Sequence, residues 1–305
     1  MLALALFGCA GAPAYTPESA YAKLVGQYPH IVIASREVPP GVTVHRDLTF
    51  MRHGRRALQL DLYLPQAAHG DSIPIVLLVH GGGWRTGERK NLAALAVRLA
   101  RRGYASATVS YRLSGEARYP GAVDDVRAAL RWVREHAHHY RLDPGRVVLA
   151  GGSAGGQIAS LVGVSAASGE VAAIVNIDGL SDFTSAVARK YEDDPAKKPS
   201  AAGAWFGGTY AEQGALWRHA SPIFYVNRAT PPMLFIGSGQ ARFSVGRDDM
   251  VERLTKNGVA SKIVLLPDSP HAFWLFDPWI EPAVAAIDAF LSEHLRWQGS
   301  TPCHR

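Results

Sequence analysis

The chain has 305 residues, of which 48% are hydrophobic and 19% are charged, and this composition excludes general disorder because a large core can form. Its formal net charge is +6, yet the basic residues are scattered and make no long run, so we expect no nucleic-acid partner. The two cysteines, Cys9 and Cys303, stand near opposite termini and cannot build a disulfide framework or a cysteine metal cluster. A single three-layer α/β domain often reaches this length, and we therefore expect one domain.

Residues 1 to 14 have the composition of a secretory signal or lipoprotein segment. The apolar run from Leu2 to Phe7 is followed by small residues, and the segment has no acidic side chain. The stretch Leu6-Phe7-Gly8-Cys9 resembles the bacterial lipobox, in which the cysteine is lipidated after cleavage. Phe7 is atypical at its position, two residues before the cysteine. The run is shorter than the about 20 apolar residues that span a bilayer. We expect export, to the periplasm or the medium, with a membrane tether through Cys9; the alternative is an untargeted N-terminus.

The remaining chain is predicted to contain one folded domain with short flanking segments. Residues 15 to 42 are predicted to be a lead-in segment that ends in a turn at Pro39-Pro40-Gly41. The α/β domain is predicted over residues 43 to 296, and residues 297 to 305 are predicted to form a tail. We therefore look for a functional site within the central range.

The domain is predicted to open with strands. Val42 to Phe50 and Ala57 to Leu64 alternate apolar and polar residues, which favours an antiparallel pair. The nearly unbroken apolar run from Ile73 to Val79 is typical of a strand buried on both faces of a mostly parallel sheet.

Strands and helices alternate from this point onward. Helices are predicted at Asn91 to Arg102, Ala122 to His138, Ala154 to Ala167 and Val284 to Leu295, and strands at Ser106 to Ser110, Arg146 to Ala150, Val171 to Ile177, Met233 to Ile236 and Lys262 to Leu266. The alternation predicts parallel strands joined by right-handed crossovers, with helices on both faces. The interval from Leu180 to Asn227 interrupts it, and we predict there a lid-like excursion over the carboxyl edge of the sheet.

Ser153 is the candidate nucleophile. It is the centre of Gly151-Gly152-Ser153-Ala154-Gly155, a G-x-S-x-G pattern that lies between a predicted strand and a predicted helix. Small flanking residues permit the sharp turn that presents the serine hydroxyl, and the N-terminus of the following helix favours a developing negative charge. The alternatives are a glycine-rich turn or a phosphate loop, but the stretch contains no G-x-G-x-x-G frame and no lysine follows it.

His80-Gly81-Gly82-Gly83 directly follows the apolar strand that ends at Val79. Consecutive glycines let backbone N–H groups approach a carbonyl oxygen without obstruction by side chains. We predict an oxyanion site made by these glycines together with the N–H of Ala154. The alternative, a flexible glycine turn, does not explain the preceding histidine.

His271 is the candidate general base. Of the twelve histidines, it is the one that follows the last predicted parallel strand and precedes the closing helix. That loop delivers the base in hydrolases of this architecture. We expect neither a metal nor a cofactor in this site.

With these motifs, the chain resembles the esterase/lipase branch of the α/β-hydrolase superfamily, which includes hormone-sensitive-lipase-like enzymes and the acetyl and feruloyl esterases. Similar motifs lie between the oxyanion and nucleophile segments, namely Val109-Ser110-Tyr111-Arg112-Leu113, Tyr119-Pro120 and Asp124-Asp125. The resemblance covers roughly residues 43 to 296. It implies the α/β-hydrolase fold, Ser153 as nucleophile, His271 as base, and Gly81, Gly82, Gly83 and Ala154 around the oxyanion.

The triad acid departs from the family pattern. The family usually carries it a few residues after the strand that here is Met233 to Ile236, but position 241 is an alanine. We place the acid at Asp178, the first polar residue after the strand Val171 to Ile177; the alternative for this residue is an Asx-turn cap. The competing candidate, Asp248, is better explained as the N-cap of a helix from Asp249 to Lys256.

These residues predict a serine carboxylic-ester hydrolase that forms an acyl-enzyme and acts on a small-molecule or oligosaccharide ester. Aromatic residues are predicted to crowd the rim of the site and to suit sugar or feruloyl rings, unless they pack in the core: Trp205, Phe206, Phe273, Trp274 and Trp279. An exported enzyme with such a rim favours deacylation of carbohydrate esters. The alternatives are a peptidase or amidase of the same fold, and a non-catalytic binding protein, which the missing acid at position 241 would favour.

Overall fold

A computed structural model describes residues 14–66 and 72–295. Cys9 with the rest of the predicted signal segment up to residue 13, and the predicted tail from residue 297, lie outside the described residues. In the described chain the strands are β1 (Val32–Ile33), β2 (Val42–His53), β3 (Arg56–Pro65), β4 (Ile73–Val79), β5 (Ala105–Val109), β6 (Leu142–Gly152), β7 (Ala173–Ile177), β8 (Met233–Ser238), β9 (Ser261–Leu266) and β10 (Phe276–Asp277).

Helices connect most of these strands. Over the same described residues, the α-helices are α1 (Pro17–Leu24), α2 (Ala93–Arg101), α3 (Gly121–Glu135), α4 (Ala154–Val164), α5 (Ala186–Glu192), α6 (Ala201–Phe206), α7 (Tyr210–His219), α8 (Arg247–Lys256) and α9 (Ile280–His294). None of the helices in this part of the chain combines the length and the apolar character needed to cross a membrane.

Eight strands form one sheet in the order β2-β3-β5-β4-β6-β7-β8-β9. The β2–β3 and β3–β5 pairs are antiparallel, and all pairs from β5 to β9 are parallel. The predicted mostly parallel sheet with an antiparallel opening pair is therefore confirmed. Because parallel strands end at the same edge, the loops after β4, β6, β7, β8 and β9 meet there.

Successive residues of the central strands face opposite layers of helices. In β4, Ile75 and Leu77 belong to one hydrophobic cluster, which includes residues of α3, α4 and α8. Val76 and Leu78 belong to the other, which includes residues of α2 and α9. Both faces of the strand are thus covered, which explains why its sequence is apolar throughout.

The lead-in segment contains two elements that the sequence analysis did not predict. α1 begins at a capping box, in which the side chains of Thr16 and Ser19 each accept a hydrogen bond from the other residue's backbone N–H. β1 pairs antiparallel with β10. The N–H of Tyr15 donates to the hydroxyl of Thr86, in the loop after β4. The segment is thereby tied to the sheet edge at which the site lies.

The predicted excursion between Leu180 and Asn227 contains α5, α6 and α7. Ser185 and Ser200 cap α5 and α6, because each hydroxyl accepts a backbone N–H of the first turn. Aromatic side chains of the excursion belong to the main hydrophobic cluster, among them Phe183, Trp205, Phe206 and Trp217. The excursion is therefore a packed layer whose aromatic side chains extend the main core.

Candidate active site

Ser153 lies at the sharp turn between β6 and α4. Its φ of 56° and ψ of −124° are values that residues other than glycine rarely adopt. The neighbouring glycines are needed because a Cβ at Gly155 would lie 2.0 Å from the Val79 carbonyl oxygen, and one at Gly152 would lie 2.6 Å from the Trp274 ring. The small residues of the G-x-S-x-G pattern thus allow the tight turn that holds the serine.

Three predicted site residues form one hydrogen-bonded chain. The Ser153 hydroxyl donates to Nε2 of His271 at 2.8 Å, and Nδ1–H of His271 donates to Oδ2 of Asp178 at 3.0 Å. The side chain of Asp178 is fully buried and that of His271 is 19% exposed. A carboxylate can only accept, so Nδ1 carries the proton and Nε2 is free to accept from the serine.

Asp178 directly follows β7, as the sequence predicted, and is held on both sides. Its backbone lies in the left-handed region with φ 51°, and its Oδ1 accepts the N–H of Ser238 at 2.9 Å. The Asx turn considered for Asp178 is not formed, and the turn is instead tied by Asn176, whose Oδ1 accepts the N–H of Gly179, three residues on, at 2.7 Å. The Asp178 carboxylate is therefore oriented towards the imidazole.

Asp248 lies away from this chain of hydrogen bonds. Its carboxylate accepts from Nε of Arg247 at 2.8 Å, and its side chain is 76% exposed. The predicted N-cap role of Asp248 is wrong, because α8 begins two residues earlier than predicted and its N-cap is Gly246, with φ 81°. Ala241, at the position where the family usually carries the acid, begins a short 3-10 turn that ends at Phe243.

His271 is neutral near pH 7. Burial has the largest effect on its pKa and lowers it below the ordinary value of about 6.5. The hydrogen bond and charge of Asp178 raise the pKa, and the nearby charge of Arg242 lowers it again. Because the net shift is downward, Nε2 is available to accept a proton at neutral pH.

Backbone N–H groups predicted to hold an oxyanion lie beside the serine. Gly82, Gly83 and Ala154 line the same cavity as Ser153, and their N–H groups have no acceptor among the described residues. Gly82 has φ 123° and Gly83 has φ 59°. Gly81 does not line this cavity: a Cβ there would lie 2.8 Å from the Gly152 carbonyl oxygen, so it serves the close packing of two loops.

His80, which precedes the three glycines, supports the loop that carries them. Burial lowers the pKa of His80 to about 4, so its ring is neutral. Its Nδ1–H donates to the Gly81 carbonyl at 2.9 Å, and the Tyr111 hydroxyl donates to the His80 carbonyl at 2.9 Å. The two rings stack with centroids 4.2 Å apart. The sequence shows this histidine directly before the three glycines but does not indicate its supporting role.

Trp84 was missed as a site residue. Its indole N–H donates to Oε1 of Gln157 on α4, and Nε2 of Gln157 donates to the Ala220 carbonyl in the excursion. The indole also stacks on Trp205 of α6, with centroids 5.0 Å apart. The signal was Gln157 itself, a long polar side chain in a helix of otherwise small or apolar residues, which needed a buried partner.

A cavity of about 310 Å³ opens above Ser153 and His271. We call five side chains that line it the cavity wall: Tyr15, Lys23, Glu192, Arg242 and Phe243. Burial raises the pKa of the Glu192 carboxyl, and the charge of Arg242 opposes this shift. Glu192 has no hydrogen-bond partner among the described residues. No local sequence pattern marks the wall, because its members come from segments far apart in the chain.

The predicted aromatic rim is wrong. All five aromatic residues proposed for it are buried, with exposed fractions between 0% and 8%: Trp205, Phe206, Phe273, Trp274 and Trp279. The alternative, that they pack in the core, is the correct one. Trp274 packs beneath Gly152 and meets the His271 ring edge-to-face, with centroids 5.3 Å apart.

Comparison with curated proteins identifies relatives named as esterases. The esterase LipQ of Mycobacterium tuberculosis is 28% identical over 250 residues, which cover 74% of this chain and 56% of LipQ. The carboxylesterase NlhH of the same organism is 38% identical over 110 residues, which cover 36% of this chain and 34% of NlhH. The chain thus spans less than two thirds of the length of these relatives.

Solved structures and a family model agree with the predicted fold. A truncated carbohydrate esterase from gut microbiota has a TM-score of 0.69 at 19% identity, covering 86% of this chain and 99% of its own. The esterase Est2 of Thermogutta terrifontis has a TM-score of 0.68 at 20% identity, covering 86% of this chain and 97% of Est2. The BD-FAE family model matches residues 60–247, which is more than half of the chain. These matches confirm the predicted α/β-hydrolase fold and the resemblance to its esterase/lipase branch, and the chain belongs to the BD-FAE family.

Proposed function

We propose that this protein is a serine carboxylic-ester hydrolase that works through an acyl-enzyme. The observation that carries the proposal is the hydrogen-bonded chain from Ser153 through His271 to Asp178, which opens onto a cavity. The names of the relatives, esterase and carboxylesterase, support it. The missing acid at position 241 favoured a non-catalytic binding protein, and that argument loses its force because Asp178 contacts the histidine.

Each group in the chain of hydrogen bonds has a chemical task. Oγ of Ser153 bonds to the ester carbonyl carbon while its proton passes to Nε2 of His271. The alkoxy C–O bond then breaks, and the imidazolium returns the proton to the leaving alcohol. Water repeats these steps on the acyl-enzyme and releases the acid, while Asp178 holds the tautomer and stabilises the imidazolium.

The carbonyl oxygen becomes negatively charged in the tetrahedral intermediate. The N–H groups of Gly82, Gly83 and Ala154 lack acceptors within the described residues, so they are available to donate to it. Ala154 is also the first residue of α4, whose N-terminus favours a negative charge. Such preorganised donors stabilise the transition state more than the ground state.

We propose a carbohydrate ester with a short acyl group, such as acetyl, as the substrate. The volume of about 310 Å³ is at the lower end of ligand pockets and suits a small acyl group. Charged groups of the wall, Lys23, Glu192 and Arg242, offer hydrogen bonds to a hydroxylated alcohol. The name of one structural neighbour, a carbohydrate esterase, supports this substrate class.

Covalent labelling tests the nucleophile. A fluorophosphonate reacts only with an activated serine, so we expect stoichiometric labelling of the native protein and none of Ser153→Ala. Absence of labelling in folded native protein would mean that the chain is a binding protein and would overturn the proposal.

A substrate panel tests the ester class. We expect hydrolysis of p-nitrophenyl acetate and of acetylated oligosaccharides, slower hydrolysis of feruloylated glycans, and none of aminoacyl amides. Faster cleavage of the amides than of the esters would identify a peptidase or amidase instead.

We also propose that the protein is exported and tethered through a lipid on Cys9. The apolar run Leu2 to Phe7 and the lipobox-like residues that follow it support this proposal. Acyl chains that insert into the bilayer anchor a protein. We expect the native protein in the membrane fraction and Cys9→Ser outside it. Recovery of unprocessed native chain from the cytosol would contradict export.

A further inference from the structure

The 3-10 turn after β8 brings an aromatic ring onto His271. The ring of Phe243 lies parallel to the imidazole, with an interplanar angle of 9° and centroids 3.3 Å apart. The Trp274 ring meets the imidazole edge-to-face at 86°. Two aromatic side chains from different loops therefore restrict the same imidazole.

Phe243 is itself held in place from the excursion. The guanidinium of Arg242 lies 4.3 Å from the centroid of the Phe243 ring and 5.4 Å from that of Tyr191, which belongs to α5. A cation over an aromatic face contributes a modest attraction at exposed sites. The turn thus packs against α5 through Arg242.

We propose that Phe243 is a positioning residue for the general base: its ring keeps the imidazole plane of His271 aligned between Ser153 and Asp178 and keeps water off the exposed imidazole face. This inference rests on the proposed esterase function. It gives a task to the loop that, in the family this chain resembles, usually carries the acid.

The physical need for such a residue follows from the imidazole torsion. Rotation about the bond from Cβ to the ring is soft, because a torsion between tetrahedral and planar carbons has broad minima. Nε2 must stay within hydrogen-bond reach of Oγ of Ser153, which it meets at 2.8 Å. A ring in parallel contact with the imidazole face leaves no room for a tilt towards the cavity.

Several charged or titratable groups line the cavity onto which the imidazole opens. They come from the β7 loop, α5, the turn after β8, α1 and the lead-in: Asp178, Glu192, Arg242, Lys23 and Tyr15. Replacement of Phe243 removes none of these charges, although it takes away the ring over which the Arg242 guanidinium lies. Removal of the ring lets water reach the imidazole, and because burial is the main cause of its low pKa, that pKa should rise.

The test compares Phe243→Ala with the conservative Phe243→Tyr. We expect kcat for p-nitrophenyl acetate to fall up to about 10²-fold in Phe243→Ala, since misplaced catalytic groups carry costs of that order, and to recover in Phe243→Tyr. We expect the acid limb of the pH profile to move to higher pH in Phe243→Ala alone. An NMR titration of the His271 ring, assigned by comparison with His271→Gln, should show the same shift.

Phe224→Ala is the matched control. Phe224 is also half-buried and carries an arginine over its ring, with Arg218 at 3.6 Å, but it does not line the cavity. We expect it to change neither kcat nor the titration. An unchanged His271 titration in folded Phe243→Ala would overturn the inference. Because NMR needs no turnover, this outcome is distinct from a failure of the esterase proposal, which would show as an inactive native protein.

Discussion

The loops that carry the triad and the wall of the cavity are held in different ways. Ser153 and Asp178 follow interior strands of the sheet, and backbone hydrogen bonds fix the turns on which they lie. The wall instead consists of side chains from the lead-in, the excursion and a short turn, and its Lys23 and Arg242 are exposed. The contrast teaches that Ser153 and Asp178 owe their positions to the sheet, whereas the wall owes its position to segments packed onto the sheet.

The largest expected loss comes from the serine itself. Ser153→Ala should lower kcat by about 10⁶-fold, because removal of the nucleophile ends the acyl-enzyme route. The melting temperature should stay close to that of the native protein. Ser261→Ala, on the edge strand β9, is the control and should keep full activity. Retention of more than a small residual activity in pure Ser153→Ala would place the chemistry elsewhere.

The choice between two acids gives the next largest effect. Asp178→Asn should lower kcat about 10⁴-fold with little change in melting temperature, because the amide disfavours the required histidine tautomer. Asp248→Asn should have almost no effect, since that side chain is 76% exposed and pairs with Arg247. Steady-state kinetics of both variants decide the matter. The reverse ranking would show that the acid lies on the loop after β8.

A buried ring beneath the nucleophile should affect stability more than binding. Trp274→Ala should lower the free energy of unfolding by about 3–5 kcal/mol, because it empties a large space in the core. Trp132→Ala, at a half-buried tryptophan on α3, should cost less. Urea denaturation measures both. If Trp274→Ala keeps the native stability and raises KM for glycan esters alone, Trp274 contacts the substrate as part of an aromatic rim.

The pH dependence should show the low pKa of the base. Only neutral His271 accepts the serine proton, so kcat/KM should keep its plateau as the pH falls to about 6.5, the ordinary pKa of histidine. The decrease, with a limiting slope of tenfold per pH unit, should begin only at lower pH, because the pKa of His271 is lowered. Arg242→Met should move the acid limb of the pH profile to higher pH, because it removes a positive charge that lowers the pKa of His271. A downward movement would show that Arg242 acts in another way.

The smallest expected effect concerns the wall. Glu192→Gln should raise KM for an acetylated oligosaccharide about fivefold, which corresponds to the loss of one hydrogen bond of roughly 1 kcal/mol. KM for p-nitrophenyl acetate should not change. Glu252→Gln makes the same chemical change on the outer face of α8 and serves as the control. Equal changes for both esters would mean that Glu192 acts on the triad and not on the sugar.

The loops that carry the candidate site residues could be predicted from the sequence because their signals are local. The glycines around Ser153 and after His80 are required by close backbone contacts, and such requirements leave a pattern of small residues within a few positions. Asp178 could be placed because a polar residue follows a buried apolar strand. The parallel arrangement of the strands from β4 onward followed from the alternation of strands and helices.

The wall could not be predicted, because no local pattern marks it. Tyr15 and Glu192 are far apart in sequence, and each reaches the cavity only through packing of its own segment. The aromatic residues failed as a prediction for a related reason. Position near a site residue does not tell whether a ring faces solvent or core, and Trp274 and Trp205 face the core. Only the folded structure shows which residues of the excursion and of the lead-in reach the cavity.

The lead-in segment has a consequence for how such an enzyme can be re-engineered or diversified. It supplies Tyr15 and Lys23 to the cavity from one end of the described chain, held by the small β1–β10 sheet and by buried residues such as Ile31. Residues 14–34 contain no strand of the eight-stranded sheet, so substitutions there interrupt none of its strands. Libraries restricted to Tyr15 and Lys23 would therefore vary the cavity wall without substituting Ser153, His271 or Asp178.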